Sequence, residues 1–217
     1  MGMKTQAGIL VLADISGFTA FLTATELEHG PQIIGALLEA VMKRLSPPLE
    51  IQEVEGDAVF AVGPDGTLPS PARLLQVLDS AFSAFKEVQR EFVADESCAC
   101  GACRSVDKLD LKVIAHHGRF VRHAVGGHAQ IAGVDVVLAH RLLKNGVTTS
   151  RAYVLLTDAM VRWLELDPVD LGLVARVESY EHLGDVHCFV RALGTPARGE
   201  ALSARDEADL LEVAVAA

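Results

Sequence analysis

A run of five apolar residues near the N-terminus, residues 9–13, ends at Asp14 and is followed by a turn that contains Gly17. A short apolar run that stops at a turn is typical of a strand buried on both faces. From Thr19 the sequence predicts a short helix, so Asp14 is expected at the end of the strand. The chain must therefore fold so that its first strand is covered on both sides.

The rest of the chain supplies the elements that would surround this strand. After Gly30-Pro31, apolar residues recur with helical spacing as far as residue 45. Residues 49–54 and 58–62 flank Glu55-Gly56-Asp57 and predict a tight hairpin with Asp57 at its tip. A long helix over residues 74–92 and a strand over residues 109–116 follow.

Further elements are predicted toward the C-terminus: a loop or hairpin at 118–127, a helix at 134–144 capped by Asn145-Gly146, and strands at 153–156, 174–178 and 186–190. The order strand, two helices, hairpin, helix, strand indicates an α+β fold. We expect a ferredoxin-like βααββαβ core, with an antiparallel-rich sheet and helices packed on it.

Size and charge limit the classes of function. With 217 residues, half of them apolar, the chain suits one domain over residues 1–195 and an acidic tail over 196–217, with a short amphipathic helix expected from Ser203. A net charge of −10 opposes nucleic acid and anionic membranes as partners. The N-terminus does not resemble a signal peptide, and no apolar run approaches the ~18 residues of a membrane span. A cytoplasmic protein is therefore expected.

Asp14 and Asp57 each lie in a glycine-bearing turn at the edge of an apolar run. Two carboxylates at the ends of paired strands could hold Mg²⁺ or Mn²⁺, which leaves its other positions to water and phosphate. The backbone N–H groups of residues 15–18, including Gly17 and Phe18, would then receive a phosphate beside the metal. The alternative is that the aspartates serve as a helix N-cap and a turn residue.

The motifs carry a resemblance to a known family. Ala13-Asp-Ile-Ser-Gly-Phe-Thr19, Glu53-Val-Glu-Gly-Asp57, Ile114-Ala-His-His-Gly118 and Gly133-Val-Asp-Val-Val-Leu-Ala-His-Arg-Leu142 resemble, in order, the landmarks of class III adenylate/guanylate cyclase catalytic domains. The resemblance runs from about residue 8 to residue 192. More closely, the chain resembles a bacterial family of cyclase-homology proteins with a cysteine insert and a His140–Asn145 stretch of this type.

The resemblance implies roles for particular residues. Asp14 and Asp57 would bind two divalent ions beside a purine nucleoside triphosphate, and the site would be shared between the chains of a homodimer. Glu53 would select guanine, since a carboxylate accepts hydrogen bonds from its N1–H and amine, and Gln130 would be the second base contact. Arg141 would stabilise charge on the reacting phosphate. The alternatives are an exposed strand glutamate at 53 and a helix-surface cation at 141.

Two departures from the family count against ordinary cyclase activity. The position of the family's transition-state asparagine is Val137, and the stretch Tyr180-Glu-His182-Leu-Gly184 lacks the family's phosphate-binding lysine. Each lost contact is worth about 2–4 kcal/mol by analogy with oxyanion contacts. We therefore expect either a weak or altered guanylate-like cyclase, or a catalytically degenerate nucleotide sensor or protein-interaction module stabilised by zinc.

The insert at residues 95–108 contains Cys98, Cys100 and Cys103 in a Cys-x-Cys-x-x-Cys pattern. Close thiolates bind zinc, and a closed structural site needs a fourth ligand, for which Cys188, His187 or a histidine from elsewhere could serve. A redox pair is the alternative, while a stable disulfide is disfavoured in the cytoplasm.

The remaining histidines are given no role. His116 and His117 are adjacent on a strand and are expected to point to opposite faces, one of them inward. His123 and His128 are expected in a flexible loop, where a solvated histidine is the usual outcome.

Overall fold

One mixed sheet forms the body of the protein in the computed structural model, which describes residues 4–23, 29–68, 70, 72–95, 98 and 100–194. The strands are β1 (Thr5–Ser16), β2 (Glu50–Glu55), β3 (Ala58–Pro64), β4 (Asp110–Val125), β5 (His128–Ala132), β6 (Tyr153–Thr157), β7 (Val174–Tyr180) and β8 (Gly184–Ala192). They lie in the order β2-β3-β1-β4-β6-β8-β7, and β5 pairs with β4. Only the β4–β6 pair is parallel among these strands.

Five helices connect the strands in the described part of the chain: α1 (Phe18–Thr23), α2 (Gly30–Leu45), α3 (Arg73–Ala94), α4 (Val134–Leu142) and α5 (Asp158–Trp163). A 3-10 segment, Cys103–Lys108, lies between α3 and β4. The order β1-α1-α2-β2-β3-α3-β4 is the predicted βααββαβ core. The prediction of an α+β fold with an antiparallel-rich sheet is confirmed.

Strand β1 is central and is buried on both faces, as its apolar run predicts. Alternate residues of a strand point to opposite faces, so Ile9 and Val11 join the core beneath α2 and α3, and Leu10 and Leu12 join a second core beneath α4. Asp14 continues the second set and lies on the α4 side of the sheet. The register places Asp14 opposite Ala58 of β3 and opposite Lys112 of β4.

The stretch of residues 118–127 is a hairpin whose first strand is the continuation of β4. Gly118 lies inside this strand. A Cβ at this position would lie only 2.5 Å from the side chain of Asp135 on α4. The glycine therefore marks a close approach of α4, and the turn falls at Gly126-Gly127. His123 and His128 consequently lie on paired strands, and the expected flexible loop is wrong.

The helix ends agree closely with their sequence signals. Helix α4 ends at Leu142, where the Asn145 amide donates to the Leu142 carbonyl at 2.7 Å, so the capping role of this asparagine is found. The predicted tail at 196–217, with its helix from Ser203, lies outside the described residues. Within the described residues, no helix combines the length and apolarity needed to cross a membrane.

Candidate metal and nucleotide sites

Asp14 and Asp57 converge at one end of the β1–β3 pair. Asp57 lies in the β2–β3 turn, directly before the residue that faces Asp14 across the ladder. The Asp57 carbonyl accepts the N–H of Ile15 at 3.1 Å, which fixes the turn against the end of β1. The structure therefore brings together Asp14 and Asp57, the two residues for which the sequence suggests a shared cation.

The pair has an unusual electrostatic balance. Burial first, and then the neighbouring charge of Asp14, raises the pKa of Asp57 to about 6, against smaller lowering effects of a backbone hydrogen bond and of Lys112. A carboxyl group whose ionisation is disfavoured by burial and by a neighbouring carboxylate attracts a cation. This is the electrostatic property expected of a divalent-metal site.

Lys112 supplies positive charge next to this pair. Its Nζ lies 2.8 Å from Asp14 Oδ2 and donates to the Leu143 carbonyl at 3.2 Å, just beyond the end of α4. The Asp14 and Lys112 side chains are only 15% and 21% exposed. Sequence reasoning missed Lys112, because only the strand register places it opposite Asp14.

The turn after β1 is built as the sequence suggests, with one correction. Gly17 has a φ of +90°, a conformation that side-chain-bearing residues rarely adopt. The sequence predicts that the N–H of Ile15 receives a phosphate. This N–H instead donates to the Asp57 carbonyl, so it is not available for that role. Phe18 packs its ring on the core, so only its backbone could take part.

A second cation beside this turn was also missed. A Cβ placed on Gly17 would lie 3.4 Å from the Arg151 guanidinium nitrogen Nη2. The carbonyl of Arg151 accepts the Ser16 hydroxyl at 3.0 Å, which ties the backbone of the two segments together. Nothing in the local pattern around Arg151 indicated this neighbour, because the contact crosses 135 residues of chain.

The proposed base contacts lie on strands that touch. Gln52 donates from its amide to the Ala129 carbonyl at 3.2 Å, and a bulge between Ile51 and Glu53 interrupts the β2–β3 ladder at this point. Glu53 and Gln130, each next to one of these contacting residues, are both exposed.

The same region faces helix α4. The negative charge of Glu53 raises the pKa of His140, while the larger effect of burial lowers it, so Glu53 lies near α4. Gln52 Oε1 and His123 Nδ1 are buried without a hydrogen-bond partner among the described residues. Unsatisfied buried polar atoms are rare in folded proteins and can mark a place where a ligand or a partner chain completes the bonding.

Arg141 is exposed near the end of α4, and no ion pair involves it among the described residues. Val137, on the same helix, is 51% exposed. Arg141 is therefore not brought to the aspartate pair by a contact within this chain. His182 lies in the β7–β8 turn, with its side chain 88% exposed.

The cysteine cluster acquires a fourth member that the sequence left open. Sγ of Cys98, Cys100 and Cys103 and a ring nitrogen of His29 all lie within 4.8 Å of one another. Cys188 is buried in the core beneath α4, and neither it nor His187 belongs to this group. Both are therefore excluded as the fourth member, and the histidine comes from the residue before α2.

The adjacent histidines behave as predicted. His116 is 3% exposed, and His117 on the opposite face stacks on Trp163. The Thr157 hydroxyl accepts the Met160 N–H and lies 2.8 Å from His116 Nδ1. The hydroxyl proton can therefore be donated to His116 Nδ1. His116 Nε2 then donates to Asp135 at 3.2 Å, and burial lowers the pKa of His116. His116 is thus a buried structural histidine that connects α4 and the start of α5 to β4.

Comparison with known proteins identifies a family and a relative of this chain. A family model described as a protein of unknown function, DUF2652, matches residues 34–153. Uncharacterized protein Rv2561/Rv2562 from Mycobacterium tuberculosis is 31% identical over 134 residues. That alignment covers 59% of this chain and 59% of the relative, so the chain spans little more than half the length of that protein.

Solved structures with the same fold are cyclase domains. The guanylyl cyclase Cya2 superposes with a TM-score of 0.71 at 15% identity, over 90% of this chain and 97% of the other. The adenylyl cyclase CyaB from P. aeruginosa gives 0.68 at 14% identity, over 90% and 98%. The guanylate cyclase domain of RhGC from Catenaria anguillulae, solved with GTP, gives 0.57 at 16%, over 88% and 99%. These likenesses confirm the class III cyclase fold.

Proposed function

The chain belongs to the DUF2652 family, and we propose that its cyclase-type domain binds a purine nucleoside triphosphate with divalent cations held by Asp14 and Asp57. The observation that carries this proposal is the raised pKa of Asp57 beside Asp14, at the end of two adjacent strands. The GTP-bound state of the RhGC domain supports it by analogy of fold. Magnesium or manganese is the proposed ion, since hard cations prefer oxygen ligands.

Two cations of the chain would complement the phosphates. Lys112 pairs with Asp14 and Arg151 lies beside Gly17, so both are next to the turn at which the triphosphate would lie. A bound divalent ion would share the negative charge of the aspartates and neutralise phosphate oxygens. Lys112 would then be free to turn from Asp14 toward the triphosphate, and the Arg151 guanidinium is suited to bidentate phosphate contacts.

The nucleobase would lie toward β2 and β5. Glu53 would accept the N1–H and amine of guanine, and Gln130 would donate or accept beside it. The contact between Gln52 and Ala129 holds these two strands together. The partnerless Gln52 Oε1 and His123 Nδ1 add polar groups in the same region.

We further propose a homodimer in which Arg141 acts on the site of the partner. Arg141 has no ion pair in the described part of the chain, and Val134 and Val137 of the same helix are 70% and 51% exposed. An exposed arginine flanked by apolar residues suits an interface.

The four cysteines, Cys98, Cys100, Cys103 and Cys188, are not joined in disulfides, which fits the proposed cytoplasmic location.

The proposed activity is a weak or altered nucleotidyl cyclase. Val137 cannot hydrogen-bond a ribose, and His182 is a poor substitute for the missing lysine. The second candidate is a nucleotide sensor or interaction module without catalysis, which the apolar exposure of Val137 favours. The cyclase and the nucleotide sensor both need the aspartate pair and differ in product formation, whereas the interaction module needs neither the pair nor a nucleotide.

The first experiment measures thermal stabilisation and cyclic product together. GTP, ATP, CTP and UTP are tested with magnesium or manganese on the wild type, on Asp57→Asn and on Arg151→Ala. We expect purine-selective stabilisation that is lost in Asp57→Asn and weakened in Arg151→Ala. Asp170→Asn, in the exposed turn after α5, is the matched control and should behave as wild type.

Equal stabilisation of the wild type and Asp57→Asn by every nucleotide would refute the proposal. Product would identify an enzyme, and stabilisation alone would identify a sensor.

The second experiment tests the shared site. Asp57→Asn and Arg141→Ala are assayed separately and after unfolding and refolding as a mixture. If each site takes its aspartates from one chain and its arginine from the other, a mixed dimer regains one intact site, which restores about one quarter of the sites overall. No gain on mixing would place the two residues in one chain's site or outside it.

A further inference from the structure

We propose that His29, Cys98, Cys100 and Cys103 form a closed four-ligand zinc centre that fastens the start of α2 to the cysteine insert and thereby holds the turn after β1. The centre does not depend on the proposed nucleotide function. Its effect on nucleotide binding, however, rests on that function.

The spacing of the ligand atoms fits a tetrahedral ion. His29 Nδ1 lies 3.3 Å from Cys100 Sγ and 3.4 Å from Cys98 Sγ. Zinc bonds of about 2.3 Å to sulfur and 2.0–2.1 Å to nitrogen give ligand-to-ligand edges of about 3.5–3.8 Å in a tetrahedron. Because all four atoms are within 4.8 Å of one another, an ion can enter with small side-chain movements.

The donor set also selects the metal. Three thiolates and one imidazole are soft and borderline ligands, which favour zinc over magnesium or calcium. Four protein ligands leave no position for water or substrate, so the centre is structural rather than catalytic.

The turn that carries two of the thiols is already bent for coordination. The N–H of Cys103 donates to Cys100 Sγ at 3.4 Å across the Cys-x-x-Cys turn. The Cys100 carbonyl accepts the N–H of Arg104 at 3.1 Å, which continues the turn into the 3-10 segment. This arrangement brings Cys100 Sγ and Cys103 Sγ close together in one turn.

The four ligands come from three parts of the fold. His29 immediately precedes α2, Cys98 follows the end of α3, and Cys103 starts the 3-10 segment. The 3-10 segment is already fixed to α3, because the buried Gln89 amide donates to the carbonyls of Val106 and Leu109 at 2.8 and 2.7 Å. Zinc would add the connection to α2, across 69 to 71 residues of chain.

The same 3-10 segment touches the turn after β1. A Cβ on Gly17 would lie 3.3 Å from the Lys108 carbonyl, and α1 contacts the segment. The stretch that begins at Gly17 is thus held against the insert at its start, and zinc would hold it again at His29. Loss of the metal should release the second attachment and loosen the backbone beside Asp14.

Metal analysis of the full chain, purified without added metal, tests the centre. We expect one zinc per chain in the wild type, loss of zinc in Cys100→Ser and His29→Asn, and retention in His29→Cys, which restores a fourth soft ligand. Cys188→Ala and His182→Ala are matched controls outside the group and should keep their zinc. Tight zinc in His29→Asn, or bound iron with visible absorption, would overturn the proposal.

Amide hydrogen exchange tests, without any nucleotide, whether the zinc centre holds the turn after β1. After zinc removal by a chelator, peptides covering residues 15–23 should exchange at least tenfold faster, and those from the β6–β8 pair should be unchanged. An unchanged exchange rate at residues 15–23 would overturn the proposed effect of zinc on the turn after β1. Faster exchange after zinc removal, together with no nucleotide stabilisation of the zinc-loaded protein, would support the zinc centre and refute the proposed nucleotide function. The two failures are therefore distinguishable.

Discussion

The aspartate pair and the thiol–imidazole group are both collections of metal-ligand side chains, but they differ in how their charge is balanced. Asp14 already has a cation, because Lys112 Nζ is 2.8 Å from its carboxylate. The thiol–imidazole group is linked mainly through its own members, by the contacts of His29 with Cys98 and Cys100. The first arrangement suits an ion that comes and goes with a ligand, and the second suits an ion that stays.

The difference extends to the elements that carry the ligands. Asp14 lies on a central strand that pairs with β4 over its whole length and with β3 from Gly8 to Asp14, so its position is fixed by the sheet. His29 and Cys98 lie on connecting segments, which the hydrogen bonds of a sheet do not fix. A metal at the aspartate pair would therefore change function more than stability, and a metal at the thiol group would do the reverse.

The largest effect should follow the removal of a thiol ligand. We expect Cys103→Ser to lower the free energy of unfolding by about 3–5 kcal/mol, since it removes a cross-link that closes a loop of some 70 residues. Thermal melting of zinc-loaded protein measures this, with Cys188→Ala as the control for loss of a buried thiol. A Cys103→Ser melting temperature equal to that of wild type would assign no structural weight to the group.

Sequence reasoning predicted most of the fold because the signals are local. The apolar periodicity of α2 and α3, the Glu-Gly-Asp turn at Asp57 and the continuous apolar run of β1 each depend on residues close together in the chain. The exceptions have physical causes as well. Helix α5 has six residues, too few for a helical pattern, and Gly118 looked like a turn because its packing partner is on another element.

The candidate sites were predictable only in part, for the same reason. Asp14 and Asp57 stand out because each lies in a glycine-bearing turn at the edge of an apolar run, whereas Lys112 gains meaning only from the strand register that places it opposite Asp14. His29 is about 70 residues from the cysteines it contacts, and no local spacing can connect them. The roles of Glu53, Gln130 and Arg141 stay predictions, since they concern a ligand and a partner chain.

A smaller effect should separate the two regions electrostatically. Lys112→Met keeps most of the side-chain length but leaves Asp14 without its cation, which should cost about 1–3 kcal/mol of stability. Magnesium or manganese should recover more of that loss than it adds to the wild type, because the ion replaces the missing charge. Thermal melting with and without each metal measures the difference.

Lys86→Met is the matched control for this variant. It breaks an ion pair of the same 2.8 Å length with Asp110, and neither Asp14 nor Asp57 takes part. Divalent cations should therefore not recover its stability. Equal recovery in the two lysine variants would show that the metals act elsewhere on the protein.

The smallest effect concerns the proton that Asp57 holds. Its pKa is about 6 in the folded chain, raised first by burial and then by Asp14, from an ordinary value of 3.8. The folded state binds the proton more tightly than the unfolded chain, so ionised Asp57 costs stability above pH 6, and the cost fades as the pH falls toward 4. After allowance for solvent screening, this cost is about 1 kcal/mol at pH 8.

Without metal, Asp57→Asn should therefore be more stable than wild type by about 1 kcal/mol at pH 8 and equal to it near pH 4. Adding magnesium or manganese at pH 8 should reverse the order, because only the wild type keeps the second carboxylate. Urea unfolding at both pH values, with Asp170→Asn as the control, measures the two differences. If the metal-free variant is less stable than wild type at pH 8, Asp57 contributes to folding as a turn residue, and the aspartate pair loses its distinction from an ordinary structural turn.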